Sequence, residues 1–161
     1  MPSIARITFC GGTGSVTGAN FLFEIDGKKI LIDCGLTQGS KLADDVNWAP
    51  FLYDPKEIDI LFITHSHIDH IGRIPKLIYE GFHGKIYSTK PTRALTLPML
   101  EDTAGILSND RQFNLEKIYS EENIKAAFLL WLSFDYHEKI KITENLEVSF
   151  KNAGHILGSA M

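Results

Sequence analysis

The sequence predicts an α/β chain: a sheet that opens as an antiparallel meander and continues through buried strands alternating with helices laid on its outer face. Three features carry that reading. Phe21, Phe23 and Ile25 alternate on one face before Asp26-Gly27, a strong hairpin signal, and Lys29 to Asp33 returns. Asp59 to Thr64 (DILFIT) is almost continuously apolar, as in a strand covered on both faces. After Ser120, a suitable N-cap followed by Glu121 and Glu122, the residues Ile124, Ala127, Phe128, Trp131 and Leu132 keep helical spacing.

Taken in order, Ile4 to Phe9 is a first short strand, followed by a glycine-dense loop from Gly11 to Gly18 in which several positions can take positive φ. Residues 34–58 mix Gly, Pro and polar residues around Trp48 and Phe51 and read as a long surface loop. After Gly72, Ile74, Leu77 and Ile78 keep helical spacing up to Gly81, with Pro75 tolerated in the first turn. Lys85 to Ser88 reads as a strand, and Pro91 to Leu107 as a helix interrupted by Pro98. Lys139 to Ile142 and Leu146 to Phe150 read as two strands joined by a turn at Glu144-Asn145.

Composition limits the function classes. With 161 residues, 44% hydrophobic and 22% charged, the chain has the balance of one ordinary globular unit. Sixteen Lys plus Arg against twenty Asp plus Glu give a net charge of −4, so polyanions are not held by bulk positive charge. Lys28, Lys29, Arg73, Lys76, Lys85, Lys90 and Arg93 are candidates for a local basic rim, although scattered cations usually form a solvated face. Cys10 and Cys34 lack metal-knuckle spacing and read as reduced buried thiols. Neither a membrane span nor an export signal is visible, so a cytoplasmic location and no membrane partner are expected.

The chemistry concentrates in Thr64-His65-Ser66-His67-Ile68-Asp69-His70, three imidazoles and a carboxylate at the exit of the buried strand. In an extended segment His65 and His67 point to one side and can converge on a divalent ion, while a turn after Ser66 lets Asp69 and His70 face a neighbouring ion. Imidazoles with one carboxylate suit zinc, and also iron or manganese, and the absence of nearby cysteine argues against a closed structural zinc site. Such a pair of ions serves a phosphodiester, a carbonyl or a thioester equally well. His83 and His137 stand apart from any such cluster and read as solvated or core histidines. The glycine loop fits neither a dinucleotide fingerprint nor a phosphate loop, because Thr17 stands where a glycine is needed and a strand follows. It reads as a tight connection near the site mouth, with contact to substrate backbone and pure turn geometry as equal alternatives.

His65-Ser66-His67-Ile68-Asp69-His70 after a hydrophobic strand resembles the H-x-H-x-D-H signature of the metallo-β-lactamase superfamily. Leu31-Ile32-Asp33-Cys34-Gly35 looks like its first motif, and Ala153 to Ala160 (AGHILGSA) like its third. The Gly11 to Asn20 loop, the Asp33 to Gly39 stretch and His155-Ile156-Leu157-Gly158-Ser159-Ala160 are similar to the β-CASP branch of RNA-cleaving enzymes, ribonucleases and cleavage-and-polyadenylation-factor-like exonucleases.

The resemblance implies an αββα sandwich of which residues 1–161 look like the first, N-terminal half, with the cap, the second half and further ligands lying elsewhere. It implies two zinc ions, His65, His67 and His155 on one and Asp69 and His70 on the other, and Asp33 orienting them from behind. Asp69 is also a candidate for proton transfer. The implied activity is RNA phosphodiester hydrolysis by a metal-activated hydroxide. The alternatives are another hydrolase of the same fold, of the glyoxalase II-like thioesterase kind, or a non-catalytic metal-binding half-domain. A half-domain of this kind is expected to expose apolar surface and to pair with its missing half, a partner chain or another copy of itself.

Overall fold

The computed structural model describes residues 4–39, 43–107 and 113–161. Strands β1 (Arg6–Gly11), β2 (Asn20–Ile25) and β3 (Lys28–Ile32) form the expected antiparallel meander. Strands β4 (Ile60–Phe62), β5 (Lys85–Thr89) and β6 (Trp131–Phe134) then add in parallel, giving one six-stranded sheet in simple sequential order. The connections carry α1 (Ala43–Trp48), then α2 (Ile68–Ile71) and α3 (Ile74–Tyr79), then α4 (Lys90–Leu107), α5 (Leu115–Ile118) and α6 (Glu121–Leu129). A small hairpin of β7 (Ile140–Lys141) and β8 (Glu147–Val148) follows.

Cross-strand register separates two apolar layers. Leu22, Leu31, Leu61, Ile86 and Trp131 form one row across the sheet and pack beneath Ile71, Ile74, Leu77, Leu100, Ile124 and Ala127 of the helices. The next row, Phe9, Phe21, Ile32, Phe62, Tyr87 and Leu132, faces the other way, because successive side chains alternate. That second face packs against Ile140, Phe150 and Ala160 at its centre. Its edges are open: Ile7, Phe9 and Leu132 are exposed. A groove of about 210 Å³ runs between the face and the hairpin, lined by Phe23, Ile30, Phe62, Leu146, Phe150 and Met161 among others.

Several expectations are corrected. The helix beginning at Ser120 stops at Leu129, and Trp131 and Leu132 belong to β6. Trp131 is apolar at a helical spacing, yet its indole N–H donates to Ser88 Oγ at 2.8 Å and its backbone pairs with Ile86, so the sheet claims it. Pro98 does not interrupt α4, which runs unbroken past it. The loop of residues 34–58 contains α1 and a short 3-10 turn at Pro55–Glu57, with residues 40–42 outside the described ones. The late strands are two residues each. Cys34 is buried as expected, but Cys10 is only half-buried, and both thiols are free.

Five of the seven candidate rim cations are engaged within the fold. Lys76 is buried, its Nζ bonded to Ala49 O and Glu80 and lying 3.9 Å from the Phe51 ring centre. Arg73 is buried too and donates from Nε to Gly35 O. Lys28, Lys29 and Lys90 are each paired with a carboxylate. His83 and His137 lie exposed and apart from the other histidines.

Candidate metal centre

The centre is built where parallel strands end. Asp33 follows β3 in the left-handed region at φ 60°, a conformation that aspartate tolerates better than most residues, and this turns its carboxylate toward the neighbouring strand end. There Oδ1 accepts from Thr64 N at 2.8 Å, and Oδ2 accepts from Thr64 Oγ1 at 2.8 Å and from His70 Nδ1 at 2.7 Å. The H-x-H-x-D-H segment folds as a strand exit, then α2, with His67 at its N-cap. Its backbone is stitched to the first motif: Ala19 N donates to Asp69 O, Cys34 N to His70 O and Gly35 N to Ala19 O. Asn20, buried, donates from Nδ2 to Asp33 O at 2.8 Å. Gly18, at φ +83°, lies against Thr37, so the glycine loop here is close backbone packing.

These bonds fix which ring nitrogens are free. The Thr64 hydroxyl gives its hydrogen to Asp33, so it accepts from His65 Nδ1 at 3.0 Å, and His65 Nε2 keeps its lone pair. His70 commits Nδ1 to Asp33, leaving Nε2 as the acceptor, 3.6 Å from Asp69 Oδ2. Two acceptors facing one another in this way form a natural seat for a cation.

His155 arrives from the loop after β8. His65 Nε2 and His155 Nε2 each lie 3.1 Å from His67 Nδ1, and ligand atoms of the three residues lie within 4.8 Å of one another. A tetrahedral ion with metal–nitrogen distances of about 2.0–2.1 Å requires donors roughly 3.3 Å apart. The two 3.1 Å separations match that spacing, and three imidazole nitrogens are a donor type that suits a divalent transition metal. Asp69 and His70 sit beside this trio rather than within it: the His65 and His70 rings are 3.9 Å apart, and Asp33 lies behind both.

Electrostatics act in opposite directions on His65 and His70. Burial, together with the charges of His70, His67 and His155, lowers the pKa of His65 to about 4, so its ring stays unprotonated at neutral pH. Burial raises the pKa of Asp33, against the opposing pull of His70 and Thr64. Burial opposes a charge on His70, but the hydrogen bond and charge of Asp33 outweigh it and raise its pKa. Cys34, pushed up to about 11 by burial, is no thiolate ligand.

Thr64 and Ser159 escape a reading by residue type, since a threonine and a serine in polar motifs carry no chemical signature. Thr64 joins Asp33 to His65, and Ser159 Oγ accepts from the backbone N–H groups of His155 and Ile156 at 3.1 Å each. The position of Thr64, first after a buried strand and next to the first histidine, is the one available signal.

The chain is similar to several known proteins. Ribonuclease TTHA0252 of Thermus thermophilus is 37% identical over 155 residues, covering 96% of this chain and 34% of that protein. Transcription termination factor FttA of Methanosarcina mazei is 36% identical over 162 residues, covering 97% of this chain and 24% of that factor. The chain thus spans about a third or less of the length of these relatives. The metallo-beta-lactamase fold protein YhfI of Bacillus subtilis superposes with a TM-score of 0.51 at 14% identity, over 91% of this chain and 52% of that one, a likeness of fold. The sequence profile of the metallo-beta-lactamase superfamily matches residues 14–156, which take in Asp33, His65 to His70 and His155, and the chain belongs to that superfamily.

Proposed function

We propose that this chain provides the metal-binding part of a cytoplasmic hydrolase that cleaves RNA phosphodiester bonds. The observation that carries the reading is the meeting of His65 and His67, at the exit of β4, with His155, from the loop after β8, their ligand atoms within 4.8 Å of one another. The names of two relatives, a ribonuclease and a transcription termination factor, favour RNA over a thioester or lactam. The two free thiols fit a reducing compartment.

In this reading His65, His67 and His155 hold one zinc ion, and Asp69 and His70 contribute to a second. Bound there, the metal would supply Lewis acidity and a nucleophilic water at neutral pH. The protein's own residues prepare the site. Asp33 and Thr64 hold His65 and His70 in the tautomers that leave Nε2 free. Asp69, half-buried beside His70, is the residue that takes or returns a proton in this reading, through its Oδ2. The apolar sheet face and its groove continue up to Thr64 and Ala160, and the reading assigns that face to the remainder of the sandwich or to a second subunit.

The test is elemental analysis of the purified chain, paired with cleavage of a labelled single-stranded RNA and of a simple thioester, each with and without chelator. Bound zinc that His67→Ala abolishes, with chelator-sensitive cleavage of RNA alone, is the expected result. Unchanged metal content in His67→Ala refutes the ligand assignment. Chelator-sensitive thioester cleavage without RNA cleavage refutes the substrate.

A further inference from the structure

We propose that Thr89 and Thr92 are positioning residues that set the loop bearing His155 through the carbonyl of Gly158, an inference that rests on the metal-centre reading above. Both side chains are buried, Thr89 closing β5 and Thr92 in the first turn of α4. Thr89 Oγ1 lies 2.7 Å and Thr92 Oγ1 2.9 Å from Gly158 O, and the two hydroxyl oxygens are 3.0 Å apart. A hydroxyl has one hydrogen, so when both donate to the carbonyl they saturate its two lone pairs. Thr89 Oγ1 also accepts from Thr92 N at 3.3 Å, the ordinary work of an N-cap. Capping needs one hydroxyl; the second is directed at the loop.

The loop is seated closely on that pair. Gly158 takes φ +85°, and a Cβ there would fall 2.6 Å from Thr92 N. The next residue, Ser159, holds the backbone N–H groups of His155 and Ile156 on its hydroxyl and donates its own N–H to Ile156 O at 3.0 Å. Tyr136 OH donates to Ser159 O at 3.0 Å, and Ala160 N donates to Thr64 O at 2.8 Å, beside His65. One peptide and one side chain therefore separate the hydroxyl pair from the His155 backbone.

His155 needs such a device more than His65 and His70 do. His65 and His70 have their Nδ1 atoms held by Thr64 and Asp33. Among the described residues, the exposed His155 ring has no hydrogen-bonding partner except His67, itself a proposed ligand, so its place is set by its backbone.

The probe is Co²⁺, followed by its visible absorption and by competition with a chromophoric chelator. Thr92→Val is expected to weaken Co²⁺ binding about 10-fold, the scale typical of groups that orient a ligand. Thr92→Ser restores it. In a His155→Ala background Thr92→Val has no further effect, because the ligand it positions is gone. Equal weakening in both backgrounds shows a general structural role and overturns the proposal, as does unchanged affinity. If His155→Ala itself leaves Co²⁺ affinity unchanged, the metal-centre reading and this proposal fall together. Should Thr92→Val lose its near-ultraviolet circular dichroism, Tyr136→Phe, which frees the Ser159 carbonyl, is judged by the same criteria.

Discussion

Gly35→Ala offers a sharp test of how the first motif supports the histidine segment. A Cβ built on Gly35 falls 1.5 Å from Asp69 O, 2.1 Å from Asp69 C and 2.7 Å from His70 N. All three are backbone atoms, so no rotamer change relieves the clash. Opening the nearest contact to 3.0 Å, below which real Cβ atoms essentially never pack, requires a displacement of about 1.5 Å between the two segments. That movement breaks the bonds from Ala19 N to Asp69 O at 2.9 Å and from Cys34 N to His70 O at 2.8 Å. Orphaned buried groups cost about 1–3 kcal/mol each, so the expected loss of stability is about 3–5 kcal/mol. Gly105→Ala is the control: among the described residues its Cβ meets nothing within 4 Å, and in α4 alanine should gain up to about 1 kcal/mol. Urea unfolding followed by circular dichroism, with and without Co²⁺, reads both. A Gly35→Ala midpoint equal to that of the parent chain would refute the close approach on which the site's construction depends.

Three further outcomes follow from the same geometry. Thr64→Val removes the hydroxyl that joins Asp33 to His65, and should weaken metal binding about 10- to 100-fold by competition titration. In the metal-free chain, His65 has a folded pKa near 4 against about 6.5 when unfolded, so between those values the unfolded state binds the extra proton and stability rises with pH. His65→Gln should flatten that slope in chelator-treated samples, and an unchanged slope rejects the shift. Ile7 and Phe9 lie exposed on the edge strand, so the isolated chain should self-associate in sedimentation velocity, and Phe9→Lys should reduce that association.

The sequence shows most clearly what is local. His65, His67, Asp69 and His70 are readable because four potential donors in six residues follow a strand that the apolar run makes evident. Asp33 is readable only through the motif it resembles, since a carboxylate at a strand end is otherwise an ordinary turn residue. Trp131 is misread because an apolar residue satisfies a helical period and a strand row equally well, and the choice is made by Ser88 and Ile86 from another strand. Lys76 and Arg73 suggest a surface rim by residue type, yet the ring of Phe51 and the carbonyls of Ala49 and Gly35 receive them inside the fold.

What no local pattern contains is the register that brings these pieces level. Asp33, Thr64 and Thr89 stand at the carboxyl ends of three adjacent parallel strands, the edge where open α/β sheets place their sites. Ile32 pairs with Phe62 and Phe62 with Tyr87, and Asp33 N donates to Phe62 O at 2.8 Å. A slip of one residue between β3 and β4 would reverse the face of every side chain on the slipped strand and turn the Asp33 carboxylate away from Thr64 and His70. The buried rows of both layers hold that register: Leu31 and Leu61 face the helices, while Ile30, Ile60 and Phe62 face the second core. The apolar alternation that makes β3 and β4 pair correctly is therefore also what sets the tautomers of His65 and His70, and a core substitution that permits slippage should abolish metal binding before it abolishes secondary structure.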